Sequence, residues 1–200
     1  MWKQGLIMGL AIAGGLLITT QPVHAATTTT TSTISFTTGG ELTLDAAPDF
    51  AFGKNILAAE GATIEANGSV PVQVSNPGFA ENWQVAMKLS NFSNGQQKLK
   101  GTTLTLSQGD ITSWRGNTSM APTGVTGEKF VPGGAAQTVL NADWSKLSTD
   151  ANRYDNQWIH NTIGVGWWNS NLQAVLDVPG GNAPGVYSAT MTWSLVASAQ

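Results

Sequence analysis

Apolar and polar side chains alternate one for one in two stretches of the chain. Trp83, Val85, Met87 and Leu89 are separated by Gln84, Ala86 and Lys88, and a period of two puts the four apolar groups on one face of an extended strand. Tyr187, Ala189, Met191, Trp193 and Leu195 repeat the pattern, with Ser188, Thr190, Thr192 and Ser194 facing the other way. Both stretches predict half-buried antiparallel strands. Less regular runs predict further strands at Ile34 to Phe36, Leu42 to Leu44, Val70 to Val74, Thr102 to Leu106, Thr138 to Leu140, Trp158 to Trp167 and Leu172 to Val178. Pro71 cannot donate to a ladder, so it argues that the Val70 to Val74 strand lies at an edge.

Turn signals divide these runs: Asn76-Pro77-Gly78, Asn94-Gly95, Pro132-Gly133-Gly134 and Pro179-Gly180-Gly181. No stretch keeps a helical period. Trp144 to Trp158 could hold one short helix capped by Asp143, although Ser148 to Asn152 argue equally for a loop. The expectation is an all-β chain, with one β-sandwich or barrel-like domain of about ten short strands.

The N-terminus changes the compartment. Lys3 precedes an apolar run from Gly5 to Ile18, which ends in Thr19, Thr20 and Pro22, with small residues at Val23 and Ala25. This pattern predicts a signal peptide, residues 1–25, cleaved after Ala25. The run is shorter than the roughly 20 residues that span a bilayer, so no transmembrane segment is expected in the mature chain. Thr27 to Thr33 holds six threonines and one serine. It reads as an extended leader, 26–33, before a domain at 34–200.

Charge and cysteine usage then narrow the partners. Without Lys3 the chain keeps eight basic side chains against twelve acidic ones, a net charge of −4. That excludes nucleic acid, whose phosphates need a basic stripe. With no cysteine, an exported domain has neither disulfides nor a lipid-attachment thiol, so packing alone must hold it. Gln200 follows no sorting signal, hydrophobic tail or charged stop. Retention on a surface is therefore expected to be non-covalent.

Catalytic chemistry finds little support. After cleavage His160 is the sole histidine, which leaves no zinc ligand set and no nucleophilic triad unless His160 serves as its base. Asp143, Asp150 and Asp155, among Trp144, Tyr154 and Trp158, are the acids best placed for a glycosidase pair. Asp150, Asn152 and Asp155 lack the glycine and terminal glutamate of a calcium loop. No catalytic residue, metal or cofactor is expected. The triplets at Asn67, Asn91 and Asn117 look like glycosylation acceptors, and no function is read into them.

Tryptophan is the informative residue. Seven follow the cleavage site, at 83, 114, 144, 158, 167, 168 and 193, in a chain only 10% charged. Trp83 and Trp193 are in phase with the apolar faces of their strands and are expected in the core. Trp114, Trp144, Trp167 and Trp168 lie near glycine, asparagine and serine, where an exposed indole could stack on a sugar ring. Alternation sends one of Trp167 and Trp168 inward and the other outward, and the sequence leaves the choice open.

Four ordered elements resemble the WxL-domain family of Gram-positive surface proteins. The stretch from Tyr187 through Thr192, Trp193 and Leu195 is similar to the family's closing Thr-Trp-x-Leu strand, and Trp83-Gln84-Val85 to its upstream Trp-x-Leu element. Pro48 to Gly53 resembles the Pro-x-x-x-Phe-Gly element, and Leu176 to Pro179 with Gly185 to Tyr187 resembles the approach to the last strand. Val85 departs from leucine, Met191 from the usual leucine, isoleucine or valine, and Ala199 from a closing proline. The resemblance implies a secreted protein held non-covalently on the wall through peptidoglycan, assembling with other WxL surface proteins and a membrane-anchored partner protein. It makes Trp83, Val85, Tyr187, Thr192, Trp193 and Leu195 the expected motif and binding residues. A carbohydrate-binding β-sandwich for an external glycan is the alternative, and a glycoside hydrolase the weaker one.

Overall fold

In the computed structural model, residues 33–35, 37, 39–68, 71–147 and 162–198 are described. The chain divides into two units, Met1–Ser35 and Phe36–Gln200, and the second carries the fold. Its elements are β1 (Thr43–Ala46), β2 (Gly61–Glu65), β3 (Val72–Asn76), β4 (Asn82–Leu89), β5 (Thr103–Ser113), β6 (Thr123–Gly124), β7 (Glu128–Phe130) and β8 (Gln137–Ala142). A short 3-10 helix, Trp144–Lys146, precedes β9 (Gly166–Pro179) and β10 (Met191–Ser198).

The strands form two antiparallel sheets, a β-sandwich rather than a closed barrel. One sheet runs β1-β3-β9-β5-β7, with β2 also paired to β9; the other runs β10-β4-β8-β6. Alternation explains the core between them. In β4, Trp83, Val85, Met87 and Leu89 are all 2% exposed or less, while Lys88 faces solvent. Val72, Val74, Leu104, Leu106, Trp168 and Leu172 belong to the same buried cluster. Burying each large aliphatic side chain contributes about 1.5–3 kcal/mol, and this packing stands in for the absent disulfides.

Strand β9 departs from the sequence expectation. The two runs Trp158 to Trp167 and Leu172 to Val178 were separated by Asn169-Ser170-Asn171, but one 14-residue strand passes through all three. Its first half pairs with β3, from Gly166 to Ser170, and its second with β2, from Val175 to Pro179, while β5 lies along the other side. Ladders on both sides override the turn preference of asparagine and serine. Ser170 accordingly points inward and is 1% exposed. Residues 158–161 lie outside the described residues, and 162–165 are not in a strand.

Other boundaries also moved. Pro71 precedes β3, which is interior between β1 and β9, so its expected edge position is not found. Ile34 and Ser35 lie outside any strand. β2, β6 and β7 had no clear alternation and were missed. The expected short helix is present as one 3-10 turn, with Asp143 at its N-cap accepting from the backbone N–H of Ser145. The chain crosses between sheets after β3, where the buried Asn76 side chain accepts from the N–H groups of Gly78 and Phe79. Among the described residues no helix is long and apolar enough to cross a membrane.

Candidate functional site

The two tryptophan elements of the motif lie side by side. Strands β10 and β4 are antiparallel neighbours in which Leu195 faces Val85, Trp193 faces Met87 and Ala197 faces Trp83. Directly opposed apolar pairs of this kind stabilise a sheet by about 0.2–1 kcal/mol each. The Trp83 indole is buried and donates its N–H to the Gly164 carbonyl at 3.2 Å. β10 is the edge of its sheet, so Trp193 and Leu195 are only half-buried and Thr192 faces solvent. The Trp193 indole N–H is nevertheless covered and has no hydrogen-bond partner. Half-buried Tyr187 closes the preceding loop by donating to the Ala183 carbonyl at 3.0 Å. The motif side chains other than Thr192 thus pack on or within the core.

The four remaining tryptophan candidates separate cleanly. Trp168 points inward, is 4% exposed, and donates to the Val165 carbonyl. Trp144 is half-buried against the core, its indole N–H covered and unpartnered, with its backbone N–H bonded to Asn82. Trp167 faces outward, and Trp114 is 72% exposed beside it. Their ring centroids are 5.8 Å apart and the planes are tilted by 53°. That geometry is within the favourable range for aromatic pairs. Trp158 lies outside the described residues.

The register defines the surroundings of this pair. Ser75 of β3 faces Trp167 of β9, and Asn169 lies between Gln73 of β3 and Thr112 of β5. These positions share the outer face of the larger sheet, because paired and alternate residues point the same way. Ser75 donates its hydroxyl to Asp45, which also accepts from Thr43. The Asn169 side-chain oxygen is covered and accepts no hydrogen bond.

A polar knot fixes Trp114 against Trp167. The Asn117 carboxamide donates to the Ser113 hydroxyl at 2.6 Å and to the Val165 carbonyl at 3.1 Å, and accepts from the Ser119 N–H at 2.9 Å. Ser113 in turn donates to the Trp167 carbonyl, and the Asn117 N–H closes a turn onto the Trp114 carbonyl. Gly166 makes room: a Cβ there would lie 2.5 Å from the Asn117 side-chain nitrogen, and its φ is +102°. The Asn117 triplet, which looked like a glycosylation acceptor, therefore has a structural use that spacing alone does not signal.

No comparable geometry supports catalysis. Hydrogen bonds from the Ser145 hydroxyl and N–H hold the Asp143 carboxyl below its ordinary range, whereas the acid of a glycosidase pair needs a raised pKa. Asp150, Asn152, Asp155 and His160 lie outside the described residues. Among those described, no three His, Asp or Glu side chains gather as metal ligands would. A cleft of about 210 Å³ lined by Phe52, Leu57, Ile64, Phe92, Leu176 and Tyr187 has no charged side chain in its walls.

No match was found among curated proteins. The family model of the WxL domain, described as surface cell wall-binding, matches residues 18–198. This match spans nearly the whole chain, including both tryptophan strands, and the protein belongs to the WxL domain family of surface cell wall-binding proteins.

Proposed function

We propose that the protein is exported by its N-terminal segment, is cleaved after Ala25, and is held non-covalently on peptidoglycan at the cell surface. There it acts as a binding and assembly module with other WxL surface proteins and a membrane-anchored partner, not as an enzyme. The observation that carries this reading is the use made of the motif: Trp83, Val85, Trp193 and Leu195 build the sheet and core of a wall-binding domain. Binding is then a property of the folded domain rather than of a short peptide segment.

Retention should therefore withstand salt and fail in denaturant. The mature charge of −4 opposes attraction to wall phosphate, so shortening the Debye length from about 10 Å at 0.1 M salt to about 3 Å at 1 M screens a repulsion rather than an attraction. Washing protein-loaded walls with molar salt should leave most of the protein bound, and a denaturant should release it. Release by salt alone would contradict the reading. N-terminal sequencing of the secreted form should return Ala26-Thr27-Thr28; an intact Met1 would refute the export step.

A further inference from the structure

We propose that Trp114 and Trp167 form the stacking platform of a glycan site on the outer face of the six-stranded sheet. The ligand is an extended β-1,4-linked chain of uncharged, N-acetylated pyranose sugars. This assignment deepens the wall-binding reading and rests on it, by naming the surface and the part of peptidoglycan that is bound.

Three observations carry the site. A 72% exposed indole on a folded β domain covers no core, yet the Trp114 carbonyl is tied to Asn117, whose side chain bonds Ser113 and Val165, and its ring leans on that of Trp167. Such pre-organisation lowers the ordering cost of binding. The face beside the rings carries hydroxyl and carboxamide groups, from Ser75, Gln73, Asn169 and Thr112, and no aliphatic side chain occupies these register positions. A pyranose has the matching chemistry: a C–H face that stacks on an indole and a rim of hydroxyl and acetamido groups that hydrogen-bond. A protein hot spot would instead be centred on a well-packed, desolvated patch.

Hydrogen-bonding capacity is also left unspent. Ser75 directs its proton to Asp45, so its lone pairs remain to accept from a ligand. Rows of side chains across the strands recur every 4.7–4.9 Å or so. This spacing is close to the advance per ring of an extended β-1,4-linked pyranose chain. Such a chain can cross β3, β9 and β5 with successive rings over successive strands.

The test uses the intact secreted protein with two probes, purified peptidoglycan and a soluble β-1,4-linked N-acetylglucosamine oligomer. Binding is read by co-sedimentation for the first and tryptophan fluorescence for the second. Trp114→Ala should melt within a few degrees of wild type, because the exposed side chain gives up little besides its pairing with Trp167, while its affinity for both probes falls about tenfold or more. Ile56→Ala, at a 91% exposed apolar position outside this face, should bind as wild type does. Wild-type binding to peptidoglycan that Trp114→Ala retains in full would overturn the site and leave the wall reading standing. Trp114-dependent binding to the oligomer, with none to peptidoglycan, would overturn the wall reading and leave the site. Trp114-dependent binding to peptidoglycan alone would overturn the bare sugar chain as ligand. Binding to neither probe would overturn both proposals.

Discussion

Truncation of Trp83 to alanine should destabilise the domain by about 3–5 kcal/mol, the range for a buried aromatic side chain. Trp83 is 2% exposed, and its loss opens a cavity between β4 and the segment before β9. It also leaves the Gly164 carbonyl without its indole donor. For a domain of this size, each kcal/mol lowers the melting temperature by about 2–4 °C, so a fall of about 6–20 °C is expected. Phenylalanine variants separate packing from hydrogen bonding. Trp83→Phe forfeits the bond to Gly164 and should add about 1–3 kcal/mol to its packing loss if the carbonyl stays unsatisfied. Trp193→Phe removes an indole N–H that has no acceptor, so only packing is lost, and that from a half-buried side chain. Thermal unfolding should therefore rank Trp83→Phe below Trp193→Phe. The opposite order would show that the edge-strand indole carries more of the fold than the buried one.

The second large effect is expected at Gly164, which no sequence signal singles out. A Cβ there would lie 2.6 Å from that of Ala142 and 2.7 Å from the Trp83 ring, and the φ of +67° disfavours any side chain. The backbone has little freedom to withdraw. The Gly164 N–H donates to the Met120 carbonyl, while its own carbonyl takes the Trp83 N–H. Overpacking costs about 1–3 kcal/mol and a left-handed non-glycine residue about 1–2. Gly164→Ala should thus lower stability by roughly 2–5 kcal/mol. Because the ring atoms crowded by the new methyl are absent from phenylalanine, the cost should shrink in a Trp83→Phe background. Strict additivity in that double-mutant cycle would show that the two residues do not share a space.

The candidate platform was half legible in the chain. Glycine, asparagine and serine around Trp114 and Trp167 marked both as positions where an indole could be exposed, and the same reasoning marked Trp144 and Trp168. Exposure was found for Trp114, and in part for Trp167. Trp168 lies under the sheet because Gly166 to Pro179 is a single strand whose even-numbered positions face the core. Trp144 is drawn against the core just after Asn82 captures its backbone N–H. Neither outcome depends on the immediate sequence neighbours alone. Each depends on a ladder or bond to a segment more than fifty residues away.

What the sequence determined by itself is the set of strands whose alternation is strong enough to fix a buried face. In β4 every second residue from Trp83 to Leu89 is apolar, and a one-residue slip would put all four in water. The tertiary structure alone decided which faces meet. It placed β10 beside β4, drew Asn169, Ser170 and Asn171 into the longest strand, and brought Trp114 to within 5.8 Å of Trp167. The physical reason is the range of the interactions. Alternation is local, and the cost of exposing apolar groups selects it within a few residues. Strand order and the pairing of distant side chains are set by hydrogen-bond ladders and core packing across the whole chain.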